Sequence, residues 1–590
     1  MSRAPSPDSR AAGGTTDRHG TRNGVVYTPE KLSDFVAETL LRYLLTDFQS
    51  LSPKPLTVID PAVGDGMLLA SVARLIQTTR SIRAVSLYGV DIEPRATAAA
   101  SRRLARFPGG KVTSHLVHAN ALRPLGRSAT TLGWGANLRR GEKSPGFDLL
   151  IANPPWGADI STYRDKLRQG LLSTLKNHFD SYELFMELAT RVVSPTGYFG
   201  FIIPDSILNH GKSALRDLLL ERTELRYIAR LGEGLFPGVY RGCVVLIGKN
   251  CPPTPGNLVD CFRLSSADRA KVLSDELSLS AAQERGLHRV PQSRFANNPY
   301  KQFDIDLREN EWELLSRIRV DGRTLGDALT SARGIELSSS GWICRCPRCG
   351  MFAPVSEKAT IECEHCGSIY HPGGAHKTKI TGDSKVPNSV PLIAGRDLKR
   401  YACTPSTWVT LGKPGIKYKS PETYRPPKIL VRKTGVGITA VLDYTRSYTT
   451  QVVYILREKT AGLPALEFFI GLLNSRIYHF VLSKSFGELE WRSHPYLTQS
   501  QLLSLPLPNL DAPESRSLAD RIARVLKEAL AIGKPNPSTD AEVEALVGRL
   551  FLLTPTDLRT IFASLNEADE LLPVKELKEV ECRDVERYLR

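Results

Sequence analysis

Asn153-Pro154-Pro155-Trp156 sets an amide, two imino acids and an indole at the end of an apolar run, Phe147-Asp148-Leu149-Leu150-Ile151-Ala152. The run reads as a buried parallel strand. Two successive prolines lack N–H donors and fix φ, so they cannot continue a sheet. The strand has to stop there, presenting a side-chain amide, bare carbonyls and an aromatic face at its carboxyl end, where open α/β sheets bind ligands. An amine could donate its two hydrogens to the Asn153 side-chain oxygen and the Pro154 carbonyl while its ring stacks on Trp156. That chemistry suits methylation of an exocyclic amino group. It would rest on positioning and oriented dipoles, and it requires neither a metal nor a covalent nucleophile.

Two upstream features could supply the other half of such a site. Asp60-Pro61-Ala62-Val63-Gly64-Asp65-Gly66 closes one apolar run and opens a helix at Met67-Leu68-Leu69. Glycines at a strand-to-helix turn let a ligand approach the backbone closely. The pattern is neither GxGxxG nor a GKS/GKT phosphate loop. Asp91 ends the next strand, about 25 residues on, where an acidic side chain can hold ribose hydroxyls.

A separate constellation, Cys346-x2-Cys349-x13-Cys363-x2-Cys366, has each CxxC followed by glycine (Gly350, Gly367). Four thiolates at this spacing predict a closed tetrahedral structural zinc site. A redox-active disulfide pair is the alternative. Cys344, His365 and His371 lie nearby and are not expected to be ligands. His178, His210 and His494 read as surface or satisfied residues rather than general bases.

These residues need a scaffold. Strand-like runs at Leu56–Asp60, Ser86–Asp91, His115–Ala119, Asp148–Ala152, Tyr198–Pro204, Arg226–Leu231 and Cys243–Gly248 alternate with helical ones, which predicts an α/β domain with a parallel sheet covered on both faces. In Lys31–Leu45 the residues Leu32, Phe35, Val36, Leu40, Tyr43 and Leu44 fall at helical spacing, with Thr28 as N-cap and Pro29 in the first turn. Gly126–Gly146 is a polar insertion. Residues 1–23 read as a disordered arm without the apolar core of a signal peptide, and no stretch approaches the roughly 20 apolar residues needed to span a bilayer. From about Ile380 to Leu510 short β-like runs dominate, interrupted by a helix at Glu467–Leu482 whose aromatic stripe reads as core. Residues 514–590 read as helical.

Charge points to a polyanionic partner. The chain of 590 residues carries a net charge of +16. Between Arg396 and Arg446 eleven Lys or Arg face three acids, interleaved with Tyr401, Trp408, Tyr418, Tyr424, Tyr444 and Tyr448. Basic residues mixed with aromatics favour a nucleic-acid surface over a merely solvated face.

Taken in order, Tyr27-Thr28-Pro29, Asp60–Gly66, Asp91, Asn120, Asn153–Trp156, Phe185 and Phe236 resemble the motifs of N6-adenine DNA methyltransferases of the γ arrangement, in which cofactor motifs precede the target-recognition region. The likeness runs over about residues 24–250. Ile393–Leu398, Pro427–Arg432 and Leu472–Ser475 are similar to the specificity domain of TaqI-like and Eco57I-like modification enzymes. The resemblance implies a Rossmann-like S-adenosylmethionine-dependent methyltransferase domain (24–255). It is followed by a mixed α+β target-recognition region: a connecting stretch (256–342), the zinc ribbon (343–372), a TaqI-like domain (373–510) and a helical C-terminal region (511–590).

It also implies roles. Tyr27 and Thr28 would meet the methionine end of the cofactor. Asp60, with the backbone at Ala62, Gly64 and Gly66, would hold its amino group, and Asp91 its ribose. Asn120 stands where the family usually has Asp to accept from the cofactor adenine, and Phe185 would pack against the cofactor. Asn153, Pro154, Pro155, Trp156 and Phe236 would grip an adenine extruded from duplex DNA. The implied setting is restriction-modification or phage defence in the cytoplasm, with a companion nuclease or other defence-system subunits on separate chains. Two other readings stay open: a methyltransferase acting on RNA adenine or protein glutamine, and a DNA-binding specificity subunit with an inactive methylase fold.

Overall fold

The computed structural model describes residues 27–47, 55–107, 110–122, 146–158, 179–208, 212–239, 241–298, 301–338, 340–355, 360–486, 496–566 and 574–589. The arm, most of the 126–146 insertion, His178, His210 and His494 lie outside them. The chain forms two compact units, divided after Asp306.

The first unit is built on one nine-stranded sheet: β1 (Leu56–Asp60), β2 (Val85–Asp91), β3 (Val112–His118), β4 (Phe147–Ala152), β5 (Val193–Pro204), β6 (Glu224–Gly232), β7 (Cys243–Lys249), β8 (Leu258–Arg263) and β9 (His288–Pro291). Their order is β3-β2-β1-β4-β5-β7-β6-β8-β9. β3, β2, β1, β4 and β5 run parallel. β7 is antiparallel to both β5 and β6. Central strands are apolar nearly end to end because helices cover both faces: Val58, Ile59, Leu149, Leu150, Ile151 and Ala152 are fully buried. α1 (Glu30–Asp47), α2 (Met67–Thr78) and α3 (Pro94–Leu104) precede β1, β2 and β3, and α4 (Ser181–Val192) precedes β5. α1 buries the predicted stripe Leu32, Phe35, Val36, Leu40 and Leu44. It begins one residue after Pro29, whose carbonyl accepts from Ser33 N.

All seven strands expected from the sequence are present, each within a few residues of its reading. The sheet, however, continues past residue 255, where a boundary was expected: β8 and β9 add to the β6 edge, and the compact division falls some fifty residues later. These strands are short, and β8 carries Asp260 and Arg263 among its apolar residues, so neither alternation nor a long apolar run marks them.

In the second unit the helices 466–473, 476–486, 513–532, 537–550 and 555–566 share one core with the sheet Leu329–Arg333, Val453–Glu458, Lys428–Arg432 and Ala440–Asp443. The C-terminal helices are thus part of this core. The predicted helix at 467–482 is two helices, broken at Asn474-Ser475. Asn474 acts there as a strand substitute. Its Nδ2 donates to Ala440 O (2.8 Å) and its Oδ1 accepts from Ala440 N (3.0 Å), while its own carbonyl accepts from Arg400. Arg400 and Arg476 converge on Asp540, and Arg476 also pairs with Glu544, all buried.

The basic, aromatic stretch 396–446 is therefore not uniformly a surface. Arg400 pairs internally with Asp540, and Lys428 with Asp443 at 2.7 Å. Tyr401, Tyr424 and Tyr448 are core residues, the last two stacked 3.8 Å apart. Trp408, Tyr418 and Tyr444 retain exposed surface. The aromatics serve mainly to bury apolar area, which residue type alone does not distinguish from a stacking platform.

Replacing Asn474 by Ala leaves the buried N–H of Ala440 unpaired, at about 1–3 kcal/mol, while its C=O keeps only the donor Tyr401 N (3.3 Å). Asn474→Ala is expected to lose about 1–3 kcal/mol in urea unfolding followed by a probe in the second unit. An unchanged midpoint would contradict the pairing.

Candidate active site

β1 and β4 are neighbours, yet the chain leaves β1 toward β2 and returns to β4 on the opposite side, which makes the gap between their carboxyl ends a topological switch point. β1 ends at Asp60, β2 at Asp91 and β4 at Ala152, so Asp60, Asp91, Asn120 and Asn153 all gather at one edge of the sheet.

The glycine turn is tied to the next strand. Asp91 Oδ2 accepts from Gly64 N (2.8 Å), and its Oδ1 from Glu93 N (2.9 Å). At Gly66, φ is +82°, and a Cβ would lie 2.9 Å from Ala100 on α3, so only glycine allows α2 to start this close to its neighbour. Above Gly64, by contrast, a Cβ would meet nothing nearer than the Tyr27 ring at 3.8 Å, which leaves a shallow cradle roofed by a largely exposed tyrosine. Asp60 is buried, and its Oδ1 accepts from Ala62 N (3.0 Å). Burial pushes its carboxyl up to about 8, with Asp91 and Asp65 adding repulsion. Asn120 Oδ1 accepts from Leu122 N (2.9 Å), and Phe185 is buried on α4.

The corner at 153–156 is gripped from two sides. Asn153 Nδ2 donates to Thr28 Oγ1 (3.0 Å), which orients the amide and gives Thr28 a different task from the helix cap its position suggested. On the other side Ser181 Oγ donates to the Pro155 carbonyl (2.5 Å) and accepts from Ala158 N (3.2 Å), and Asp180 Oδ1 accepts from Gly157 N (2.6 Å). Asp180 and Ser181 begin α4, where a capping box with Glu183 fixes them. Trp156 is partly buried and edge-on to Phe236, with ring centroids 5.3 Å apart and planes at 80°. Phe236 is itself buried, so in this arrangement it supports the indole. Trp156 Nε1 has no acceptor.

Tyr27 and Thr28 therefore join the two halves of the site: one residue faces the glycine turn and the next holds Asn153. Among the residues that the sequence reading assigns to one site, contacts link Asn153 with Thr28, Tyr27 with Gly64, Gly64 with Asp91 and Ala62 with Asp60. That reading missed Asp180 and Ser181. The spacing Asp180-x-x-Glu183 is a capping-box signature that could have found them.

The four cysteine sulfurs of Cys346, Cys349, Cys363 and Cys366 lie within 4.8 Å of one another, with Cys346–Cys366 at 3.7 Å and Cys349–Cys363 at 3.6 Å. Sulfurs about 2.3 Å from a tetrahedral zinc stand about 3.8 Å apart, so the spacing suits a metal and not two disulfides. Gly350 N and Gly367 N donate back to Cys346 O and Cys363 O, closing two knuckles. Cys344 instead meets the Tyr370 hydroxyl, outside the set.

Comparison with known proteins agrees with this geometry. Residues 85–236 match the family described as Eco57I restriction-modification methylase, and 390–507 match the TaqI-like C-terminal specificity domain. The chain is 21% identical over 349 residues to the type II methyltransferase M.VspI of Vibrio sp. (strain 343), spanning 59% of this chain and 72% of that one. It is 28% identical over 207 residues to the type II methyltransferase M.TthHB8I of Thermus thermophilus, spanning 33% of this chain and 40% of that one. In fold it is similar to the type IIL restriction-modification enzyme MmeI, solved in complex with DNA, at 13% identity and a TM-score of 0.54, covering 96% of this chain and 80% of that chain. The large mixed sheet is typical of the S-adenosylmethionine-dependent methyltransferase fold. In chain order the match to the Eco57I-type methylase precedes the match to the TaqI-like specificity domain, consistent with the γ arrangement. Among the described residues no helix is long and apolar enough to cross a membrane.

Ser181→Ala removes one hydrogen bond from the Pro155 carbonyl and one from Ala158 N. With about 1 kcal/mol per bond, amide exchange at Gly157 and Ala158 is expected to quicken about 5- to 30-fold, with β4 itself unaffected. Unchanged exchange there would deny Ser181 its grip on the turn.

Proposed function

We propose that this protein transfers a methyl group from S-adenosylmethionine to N6 of an adenine extruded from duplex DNA, as the modification enzyme of a restriction-modification or phage-defence system. The observation that carries the reading is the Tyr27-Thr28 junction, which sets Asn153 beside the glycine cradle.

The residues present fit the cofactor. Asp60 is a buried carboxyl suited to an ammonium group, the turn at Ala62–Gly66 leaves room above Gly64, and Asp91 retains outward lone pairs for ribose hydroxyls. Asn120 can accept from an adenine amine without charge, and Phe185 lines the same edge. When bound, S-adenosylmethionine supplies an electrophilic methyl on a sulfonium.

The chain's own residues prepare the acceptor. N6 of adenine is a poor nucleophile because its lone pair is delocalised into the ring. Accepting its two hydrogens at Asn153 Oδ1 and the Pro154 carbonyl draws nitrogen toward tetrahedral geometry and localises that pair. Both acceptors belong to a turn held by Thr28, Asp180 and Ser181, so little reorganisation is needed. Extrusion of the base costs a few kcal/mol, and stacking on Trp156, worth about 1–3 kcal/mol, offsets part of it. Phe236 backs the indole. The second unit supplies the recognition surface for DNA, and the four cysteines hold a structural zinc. A companion nuclease on another chain would complete a restriction system.

Labelled methyl transfer tests this reading. Wild-type protein is expected to label duplex DNA, and not RNA or protein, while Asn153→Ala loses at least a hundredfold in rate with cofactor binding retained. Label in RNA or protein alone, or full turnover by the variant, would overturn it.

Asp60 gives the cofactor site a pH signature. Its carboxyl, raised to about 8, must lose a proton to pair with an ammonium. Affinity for S-adenosylmethionine should therefore climb with pH, by up to tenfold per unit, until about pH 8, and Asp60→Asn should flatten the climb. Equal affinity at pH 6 and 8 in the wild type would contradict this role. For the metal, Cys349→Ser is expected to lose one zinc per chain and to weaken DNA binding more than cofactor binding. Unchanged zinc content would refute the site.

A further inference from the structure

On the substrate reading above, a base drawn onto Trp156 would bring its own sugar and phosphates to the rim formed by the residues that follow, Gly157 and Ala158. An unpaired phosphate at that rim needs a cation. Among the described residues around the turn, Lys212 is mostly covered and held by Glu183 at 2.5 Å, and Arg103 is held by Asp65 at 2.6 Å. Arg241 differs. Its Nη1 lies 3.8 Å from where a Cβ on Gly157 would stand, and 44% of its side chain is exposed. Its ion pair with Asp180 Oδ2 is long, at 3.5 Å, while the other Asp180 oxygen is taken by Gly157 N at 2.6 Å. A guanidinium has five N–H donors in a flat fork that matches two phosphate oxygens, more than one long ion pair occupies.

The backbone on its C-terminal side is anchored at Gly242. Arg241 ends the connection from Phe236 to β7, and its neighbour Gly242 sits so close to Asp205 that a Cβ would fall 2.6 Å from Oδ2. Asp205 N donates to Gly242 O (2.9 Å). The side chain thus springs from a fixed point beside the turn that carries the indole.

We infer that Arg241 binds the backbone phosphate of the extruded nucleotide, fixing the strand at the mouth of the site. This rests on the reading that duplex DNA is the substrate. A phosphate would take Arg241 from a weak partner without disturbing the bond between Asp180 and Gly157, so the cost of engagement is small.

The test is steady-state methylation of unmodified plasmid DNA over a range of salt concentrations, with wild type, Arg241→Ala and Arg241→Lys. Each phosphate contact contributes about 0.9 to the slope of log affinity against log salt. Arg241→Ala is expected to raise KM for DNA about tenfold, with the loss of efficiency carried by KM, and to flatten the salt slope by about 0.9. Arg241→Lys should restore the slope while recovering KM only in part, because an ammonium cannot bind in two-pronged fashion. S-adenosylmethionine affinity, read separately, should stay the same in all three. An unchanged salt slope in Arg241→Ala, or a loss confined to kcat, would overturn the inference and make Arg241 a support for Asp180. Wild-type protein that leaves plasmid DNA unmethylated would defeat the substrate reading itself, and is seen before any variant is compared.

Discussion

Pro154 and Pro155 bring no N–H to the sheet, so β4, buried on both faces and paired with β1 and β5, has to end at Ala152. A parallel strand that stops this sharply leaves carbonyls and a side-chain amide without ladder partners at the edge of the sheet where the chain reverses its winding. Thr28, Ser181 and Asp180 then hold what the prolines release. A flexible loop at the same place would leave Asn153 and Trp156 free to average over many poses. The corner instead has bonds at both ends and aromatic support from Phe236.

The same edge explains why the cofactor cradle and the corner stand together. The registers of β1 with β2 and with β4 set Asp91 and Asn153 level with each other, two residues beyond Asp60, and the segment before α1 bridges them. Its two contacts are of different kinds. Tyr27 lies over a glycine that has no side chain to meet it, and Thr28 engages an amide. Asp60 is the most heavily perturbed acid at this edge, because it is buried with one backbone donor and two neighbouring acids. Such a group is costly for folding alone, and the cationic amine of the cofactor proposed above would offset that cost.

Much of this was legible in residue order. The inner strands β1, β4, β5, β6 and β7 announced themselves as apolar runs because strands covered on both faces must be largely apolar. α1 announced itself by spacing. Asn153–Trp156 stood out because proline is so poorly tolerated in a sheet. What stayed hidden was structure made by tertiary context. β8 and β9 are short and partly polar. Asp180 and Ser181 look like ordinary helix caps until their other oxygens are seen to reach the turn. Arg241 is one arginine among many. Between Arg396 and Arg446 the basic and aromatic composition suggested a surface, yet Arg400, Lys428, Tyr401, Tyr424 and Tyr448 turn inward. Composition counts residues without knowing which way they point. The Asn474-Ser475 break likewise read as the middle of one helix, since apolar residues at helical spacing run through both flanks.

The central claim is that this corner methylates adenine in duplex DNA at a defined sequence. It is tested most directly by expressing the chain in a host free of adenine methylation and sequencing the genomic DNA for N6-methyladenine. The account predicts modified adenines confined to one recurring sequence motif. Genomic DNA with no modified adenine, from cells containing folded protein that binds S-adenosylmethionine, would contradict it.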